Sequence, residues 1–366
     1  MKPIPYVDLP AQFAVERDVL ERRIGAVLSE GQWIAGAQVD ALERRIAARL
    51  GCAYTIGVGS GTDALVLAMK ALGIGPGDEV ITPPNSFVAS TAAIVHTGAK
   101  PVFADVLADQ TIDPAKVEQA ITPRTRAIMP VHLTGRTCRM TELVAIARAH
   151  GLRVIEDAAQ AFGSQQDGRA TGTLGDVGCF SAHPLKNLNA MGDAGFVATN
   201  DDAICARIRR LRNNGLVDRN TVAEWGTVSR LDTIQAVILD HRLDGLDDVI
   251  AARQANAARY RALLDPTLVF HPESHTGDFD TFHTFVVQVD RRDQLQRWLA
   301  DRGIGTSIHY PVPIHLQPAA RGLGHARGDF PVTERQAARI ISLPIHQFLT
   351  DDDITRVVAS IHERLR

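Results

Sequence analysis

Apolar residues recur at helical spacing through the first fifty positions, as Leu20, Ile24, Val27 and Leu28 and then as Val39, Leu42, Ile46 and Leu50, with charges between them. That pattern predicts two amphipathic helices whose apolar stripes face a core. From Tyr54 the period changes. Short apolar runs (TIGVGS, EVITPP, KPVFADV, RAIMPVHL, LRVIEDAA, GCFSA and GFVATN) alternate with helical stretches such as DALVLAMKAL. Strands alternating with helices in this way predict an α/β domain built on a mostly parallel sheet.

Near residue 240 the strand pattern stops, and HRLDGLDDVIAARQANAARYRALL reads as one long amphipathic helix. Turn-rich DPTLVFHPESHTGDFDTFHTF follows. Two strand-like runs, TFVVQVD and TSIHYPV, then accompany helical segments in RDQLQRWLADRG, VTERQAARII and DDDITRVVASIHERL. The expected division is a large α/β domain with N-terminal helices over residues 1–245 and a smaller α+β domain over residues 246–366.

Composition narrows the function. The 366 residues are 45% hydrophobic and 22% charged, with a net charge of -3, which gives no electrostatic case for nucleic acid or an anionic membrane as partner. No window approaches the apolar length of a membrane span and the first residues lack a signal-like apolar core, so the expected location is cytoplasmic. Four scattered cysteines without a CxxC pair indicate buried thiols instead of zinc ligands or disulfides. The histidines include no HExxH, and two prolines separate His309 from His315, so metal catalysis is not indicated.

Lysine is scarce, with Lys2, Lys70, Lys100, Lys116 and Lys186 standing against thirty-four arginines. Lys186 lies in FSAHPLKNLNAMGDAG, after a β-like run and before a loop of Gly, Asn and Asp. Lysine can lose its proton and attack a carbonyl to form a Schiff base; arginine cannot. A solvated loop lysine is the plain alternative.

Other strand ends carry compatible groups. Gly61 and Thr62 follow TIGVGS and open a helix, where free N–H groups cradle phosphate, or where Thr62 or Ser60 simply caps the helix. There is no GxGxxG and no Walker loop, which weakens dinucleotide and ATP readings. Phe87 follows EVITPP, Asp157 ends LRVIED, and Gln160 lies one helical turn beyond. A phosphate cradle, an aromatic, an Asp and a lone Lys at successive strand ends match the needs of pyridoxal phosphate, with Lys186 as the Schiff-base amine and Asp157 keeping the pyridine nitrogen protonated.

The segments GSGTDAL, SFVAS, GAKPVFADV, AIMPVHLTG, VIEDAAQAFGS, FSAHPLKNLNAMGDAG, LRNNGL, SRLDTIQAVIL and HYPVPIHLQP resemble the sugar aminotransferases of the DegT/DnrJ/EryC1/StrS type, from about residue 5 to the C-terminus. The resemblance implies fold type I, the aspartate-aminotransferase-like fold, and a homodimer with active sites at the subunit interface. It implies that Lys186 holds the cofactor and shuttles a proton, Asp157 pairs with the ring nitrogen, Gln160 approaches the ring hydroxyl and Phe87 stacks on the ring. Ser181, Gly61 and Thr62 would bind the phosphate. Glutamate would supply nitrogen to a keto-sugar attached to a nucleotide.

Two positions depart from the family pattern. Val228 stands where G-x-N-S-R has an Asn that reaches across the dimer to the phosphate, so Arg230 or Ser229 replaces it, or the partner contributes less; Arg230 could also pair with Asp232 or cap the following helix. Ala37 stands where Pro is frequent. Lysine at 186 argues against the sugar dehydratases, which carry His there, and the chain leaves no room for a DNA-binding domain. GQWIAG is closer to relatives acting at C3 of the sugar than at C4. Cyclitol (inosose) aminotransferases share the cofactor motifs, and a non-catalytic nucleotide-binding protein is the alternative from another class.

Overall fold

The computed structural model describes residues 2–366. Two helices lead, α1 (Leu9–Glu30) and α2 (Ala37–Leu50). Next come β1 (Tyr54–Val58), α3 (Gly61–Ala71), β2 (Glu79–Thr82), α4 (Val88–His96), β3 (Lys100–Phe103), α5 (Pro114–Gln119), β4 (Thr125–Ile128), α6 (Met140–His150) and β5 (Arg153–Asp157). The two-residue strands β6 (Gln165–Gln166) and β7 (Arg169–Ala170) precede β8 (Val177–Ser181), β9 (Gly195–Thr199), α7 (Asp202–Leu211), α8 (Thr233–Asp244) and α9 (Leu246–Leu263). The chain ends with β10 (Asp278–Phe279), β11 (Phe285–Gln288), α10 (Arg292–Asp301), α11 (Pro331–Arg339), β12 (Ile340–Leu343) and α12 (Asp351–Leu365). No helix among the described residues is long and apolar enough to cross a membrane.

All seven apolar runs of the first half become strands of one seven-stranded sheet in the order β1-β9-β8-β5-β4-β2-β3. The sheet is parallel except for β9, which runs antiparallel to both β1 and β8. This is the α/β architecture of fold type I. The reversed strand has a local consequence, because Ser181 pairs with Gly195 and the loop between them stays at the carboxyl end of β8. Lys186 is in that loop, at the sheet edge where ligands collect in parallel folds.

Both faces of the sheet are covered. Ile56, Leu67, Val80, Ile155 and Ile208 belong to the core beneath α3, α4 and α7, and Leu42, Ile46, Phe180, Phe196 and Leu239 to the core beneath α2 and α8. The α2 stripe is buried as its spacing predicts, but in α1 only Leu20 and Val27 are; Leu28, one position off that line, is 54% exposed.

The second half needs two corrections. The segment expected as one long helix is broken at Gly245 into the end of α8 and the whole of α9. TSIHYPV is not a strand: it contributes only the single bridge of Ser307 to Ser342, and the antiparallel partner of β11 is β12. Ile340 and Ile341, expected as the end of a helix, are therefore extended; the helix stops at Arg339 where the β-branched pair begins. Around this two-stranded sheet Val287, Leu295, Ile341 and Ile361 form a separate core that also takes in Ile4 and, from α9, Tyr260.

Candidate active site

A cavity of about 300 Å³ opens at the carboxyl ends of β1, β5 and β8. Gly61, Thr62, Phe87, Asp157, Gln160, Ser181 and Lys186 all line it. Arg230 does not.

The residues expected to form a phosphate cradle, Gly61, Thr62 and Ser181, meet through close packing. Ser60 is the N-cap of α3 and accepts from the Asp63 N–H at 3.1 Å, which leaves the Gly61 and Thr62 N–H groups pointing past the cap with no main-chain partner. Of the two capping candidates, Ser60 does the work. Gly61 is required by its neighbour: a Cβ there would lie 2.7 Å from Ser181 Cβ. The hydroxyl of Ser181 thus sits beside a helix N-terminus, whose partial positive charge favours an anion.

Asp157 ends β5 and is buried. Its Oδ2 accepts from Ser90 Oγ at 2.7 Å and its Oδ1 from Ala159 N at 3.1 Å. Burial raises its pKa above the ordinary carboxylate value, and these hydrogen bonds and the Lys186 charge offset that only in part. The adjacent Glu156 faces the other side of the strand, where it accepts from the N–H groups of Gly172, Leu174 and Gly175 and contacts His132 Nε2 at 2.9 Å. Because His132 Nδ1 accepts from Cys138 N, its proton is on Nε2, directed at Glu156.

Lys186 has no ion-pair partner among the described residues. Burial of its ammonium end pushes its pKa down to about 8, against the opposing pull of Asp157. The same burial, with the Lys186 charge, pushes His309 down to about 4 and His283 well below its ordinary value, so both are neutral donors or acceptors near pH 7. Gln160 is held at both ends, its Oε1 accepting from Thr134 N at 2.8 Å and its Nε2 donating to Tyr310 Oη at 3.3 Å. Phe87, just before α4, is 53% exposed and its ring centre is 5.5 Å from that of Tyr310.

Around Val228 the two proposed replacements differ. Ser229 is committed within its own chain, donating to Asp63 Oδ2 at 2.8 Å and accepting from Gly59 N at 3.0 Å. Arg230 donates to Asn213 Oδ1 at 3.2 Å instead of pairing with Asp232 or capping α8. Val228 is 60% exposed.

Other lining residues escaped the sequence reading, among them Tyr6, Ser90, Arg253, His283 and Tyr310. Ser90 was within the quoted SFVAS and Tyr310 within HYPVPIH, so a signal existed for those two. Tyr6 and Arg253 come from the N-terminal segment and α9, which no strand-end pattern reaches.

The chain matches the model of the DegT/DnrJ/EryC1/StrS aminotransferase family over residues 16–362. It is 43% identical to a UDP-N-acetyl-3-dehydro-alpha-D-glucosamine 3-aminotransferase of Acidithiobacillus ferrooxidans, over 99% of this chain and 98% of the relative. A Saccharopolyspora erythraea protein named erythromycin biosynthesis sensory transduction protein EryC1 is 42% identical over 98% of each chain. A Streptomyces venezuelae dTDP-3-amino-3,4,6-trideoxy-alpha-D-glucose transaminase is 41% identical, covering 98% and 96%. The crystal structure of S. venezuelae DesV in complex with a ketimine intermediate superposes with a TM-score of 0.98 at 41% identity, over 100% of this chain and 99% of that one.

Proposed function

The chain belongs to the DegT/DnrJ/EryC1/StrS aminotransferase family, and from that premise we propose that it moves the amino group of an amino acid, L-glutamate, to the keto group at C3 of a nucleotide-linked sugar. It is a pyridoxal phosphate-dependent aminotransferase of fold type I. The observation that carries the reading is the pairing of Lys186 and Asp157 in one cavity, an amine with a depressed pKa and a buried carboxylate that lacks full compensation.

The residues present fit the cofactor. Asp157 would hold a protonated ring nitrogen, which supplies the positive charge its burial calls for. The Gly61 and Thr62 N–H groups and the Ser181 hydroxyl would take the phosphate. The half-exposed Phe87 would cover one face of the ring. When bound, pyridoxal phosphate supplies an electron sink for the carbon that carries the amino group. Lys186 does the rest: with a pKa of about 8 its Nζ is free often enough near neutral pH to act as a nucleophile, and it can take a proton from one carbon and return it to another. Gln160, fixed by Thr134 and Tyr310, keeps its amide edge at the cavity wall.

Two copies would share each site. Trp225 and Val228, 90% and 60% exposed, give the segment before α8 an apolar face suited to a second copy, and Arg230 beside them, bonded to Asn213 and in no ion pair among the described residues, is the cation that would serve that copy's phosphate. The names of four relatives, each placing the amino or keto group at C3 on UDP- or dTDP-linked sugars, support the C3 assignment. Incubation with L-glutamate and UDP- or dTDP-linked 3-keto and 4-keto sugars tests it, read as 2-oxoglutarate and amino-sugar formed. Product from the 4-keto sugar alone would overturn C3, and product from an inosose alone would give the cyclitol reading.

A further inference from the structure

Arg253, on α9, is a buried cation without a buried anion. It lines the cavity, and its residue is only 6% exposed. Its Nη1 donates to the main-chain carbonyls of Phe282 and His283, each at 3.2 Å, and its Nε has no partner. Neither carboxylate lining the cavity, Asp157 or Asp193, forms an ion pair with Arg253 among the described residues, and Asp157 is held by Ser90 and Ala159. Burial pulls the guanidinium pKa down to about 10, and only Tyr6 opposes it. Two neutral carbonyls do not offset the desolvation of a guanidinium; an anion does.

The surroundings leave room for one. Lys186, His283 and Arg253 line the same cavity, and burial, with the charges of both cations, holds the His283 pKa well below its ordinary value. The cavity therefore carries two cationic side chains and a neutral imidazole on its wall.

We propose that Arg253 binds the carboxylate of the amino-acid donor and so places its amino-bearing carbon against Lys186. The proposal rests on the aminotransferase reading above. The planar guanidinium fork suits a carboxylate, which it can hold through two parallel hydrogen bonds. A carboxylate adjoining the reacting carbon is common to all α-amino acid donors, whereas a neutral keto-sugar has none; a uronate sugar is the other source of the same chemistry.

The test uses the cofactor-loaded wild-type, Arg253→Gln and Arg253→Lys proteins, with glutarate as an unreactive dicarboxylate and glutaramide as its neutral counterpart, both measured by calorimetry. Loss of a charge-assisted pair should weaken glutarate binding by roughly tenfold or more in Arg253→Gln, with glutaramide unchanged. In stopped-flow half-reactions the half-saturating L-glutamate concentration should rise by a similar factor, while transfer from the amine-loaded enzyme to a neutral keto-sugar keeps its rate. Should Arg253→Gln fail to fold, Arg253→Lys decides, since loss of the fork should still weaken glutarate by roughly threefold or more.

Unchanged glutarate binding in a folded variant overturns the proposal. So does a defect confined to the half-reaction with a uronate sugar, which would give the carboxylate to the acceptor. If the wild-type protein takes no amino group from any amino acid yet binds glutarate through Arg253, the aminotransferase reading fails while the carboxylate site stands.

Discussion

Ser90 Oγ donates to Asp157 Oδ2 across 2.7 Å, joining the first turn of α4 to the end of β5. Both residues are buried, 1% and 4% exposed, on the wall of the cavity. The bond favours the ionised carboxylate and works against the upward pull of burial on the Asp157 pKa. Ser90→Ala should therefore raise that pKa further and cost about 1–3 kcal/mol in cofactor affinity, as expected for a buried acceptor that loses a partner. If, as proposed, the ionised form binds a protonated ring, the pH at which affinity is gained should move upward. Titration of cofactor-free protein with pyridoxal phosphate at several pH values measures this, and an unchanged profile would assign Ser90 to packing alone.

The buried ammonium of Lys186 is destabilising. Its folded-state pKa of about 8 lies below the ordinary lysine value of 10.5, so between these two values the unfolded chain binds more protons than the folded one. Stability should rise with pH across that window, and below it the buried ammonium costs stability in full. Lys186→Met, which keeps the stem and removes the charge, should make the cofactor-free protein more resistant to urea at neutral pH, with the advantage fading as pH rises through the window. Urea midpoints on both sides of pH 8 check the sign. A lysine that is solvated in solution would show no such difference.

Gly61 faces Ser181 with no room for a side chain. A methyl there would meet Ser181 Cβ at 2.7 Å, closer than carbon atoms approach, so the β8 end or the first turn of α3 must shift. Gly61→Ala should weaken pyridoxal phosphate by roughly tenfold, the scale of one or two lost hydrogen bonds to a charged group. Pyridoxal, which lacks the phosphate, should bind wild type and variant alike. Parallel titrations with the two compounds separate damage to the cradle from a general loss of folding.

The large sheet could be read from the sequence because each strand lies in a short, largely apolar run between helical stretches. Period changes marked those edges. The break at Gly245 was hidden because the amphipathic repeat continues across it. TSIHYPV looks like a strand, but pairing is decided by a partner, and β12 takes the available edge of β11. Of two adjacent acids, the choice of Asp157 over Glu156 depends on strand alternation and on three N–H groups from residues 172–175 that claim Glu156. Lys186 could be found because lysine is rare in this chain. Arg253 could not, since one arginine among thirty-four gives no compositional signal.

Arg230 provides the last test. It lies outside the cavity of its own chain and is bonded only to Asn213 Oδ1, whereas Ser229 is occupied by Asp63 and Gly59. If Arg230 serves the cavity of a second copy, each complete site draws Lys186 from one subunit and Arg230 from the other. Lys186→Ala alone should lose the yellow chromophore and turnover, because guanidinium groups cannot replace the amine. Arg230→Ala alone should keep the chromophore when cofactor is saturating but bind it more weakly. Mixed in equal amounts and allowed to exchange, the two variants should form dimers of which roughly half are mixed, so that roughly a quarter of all sites recover both residues in a closed two-fold assembly. Cofactor concentration should be held where each parent is inactive, and subunit exchange confirmed by mass. Recovered activity near that fraction supports a shared site; none after verified exchange confines Arg230 to its bond with Asn213.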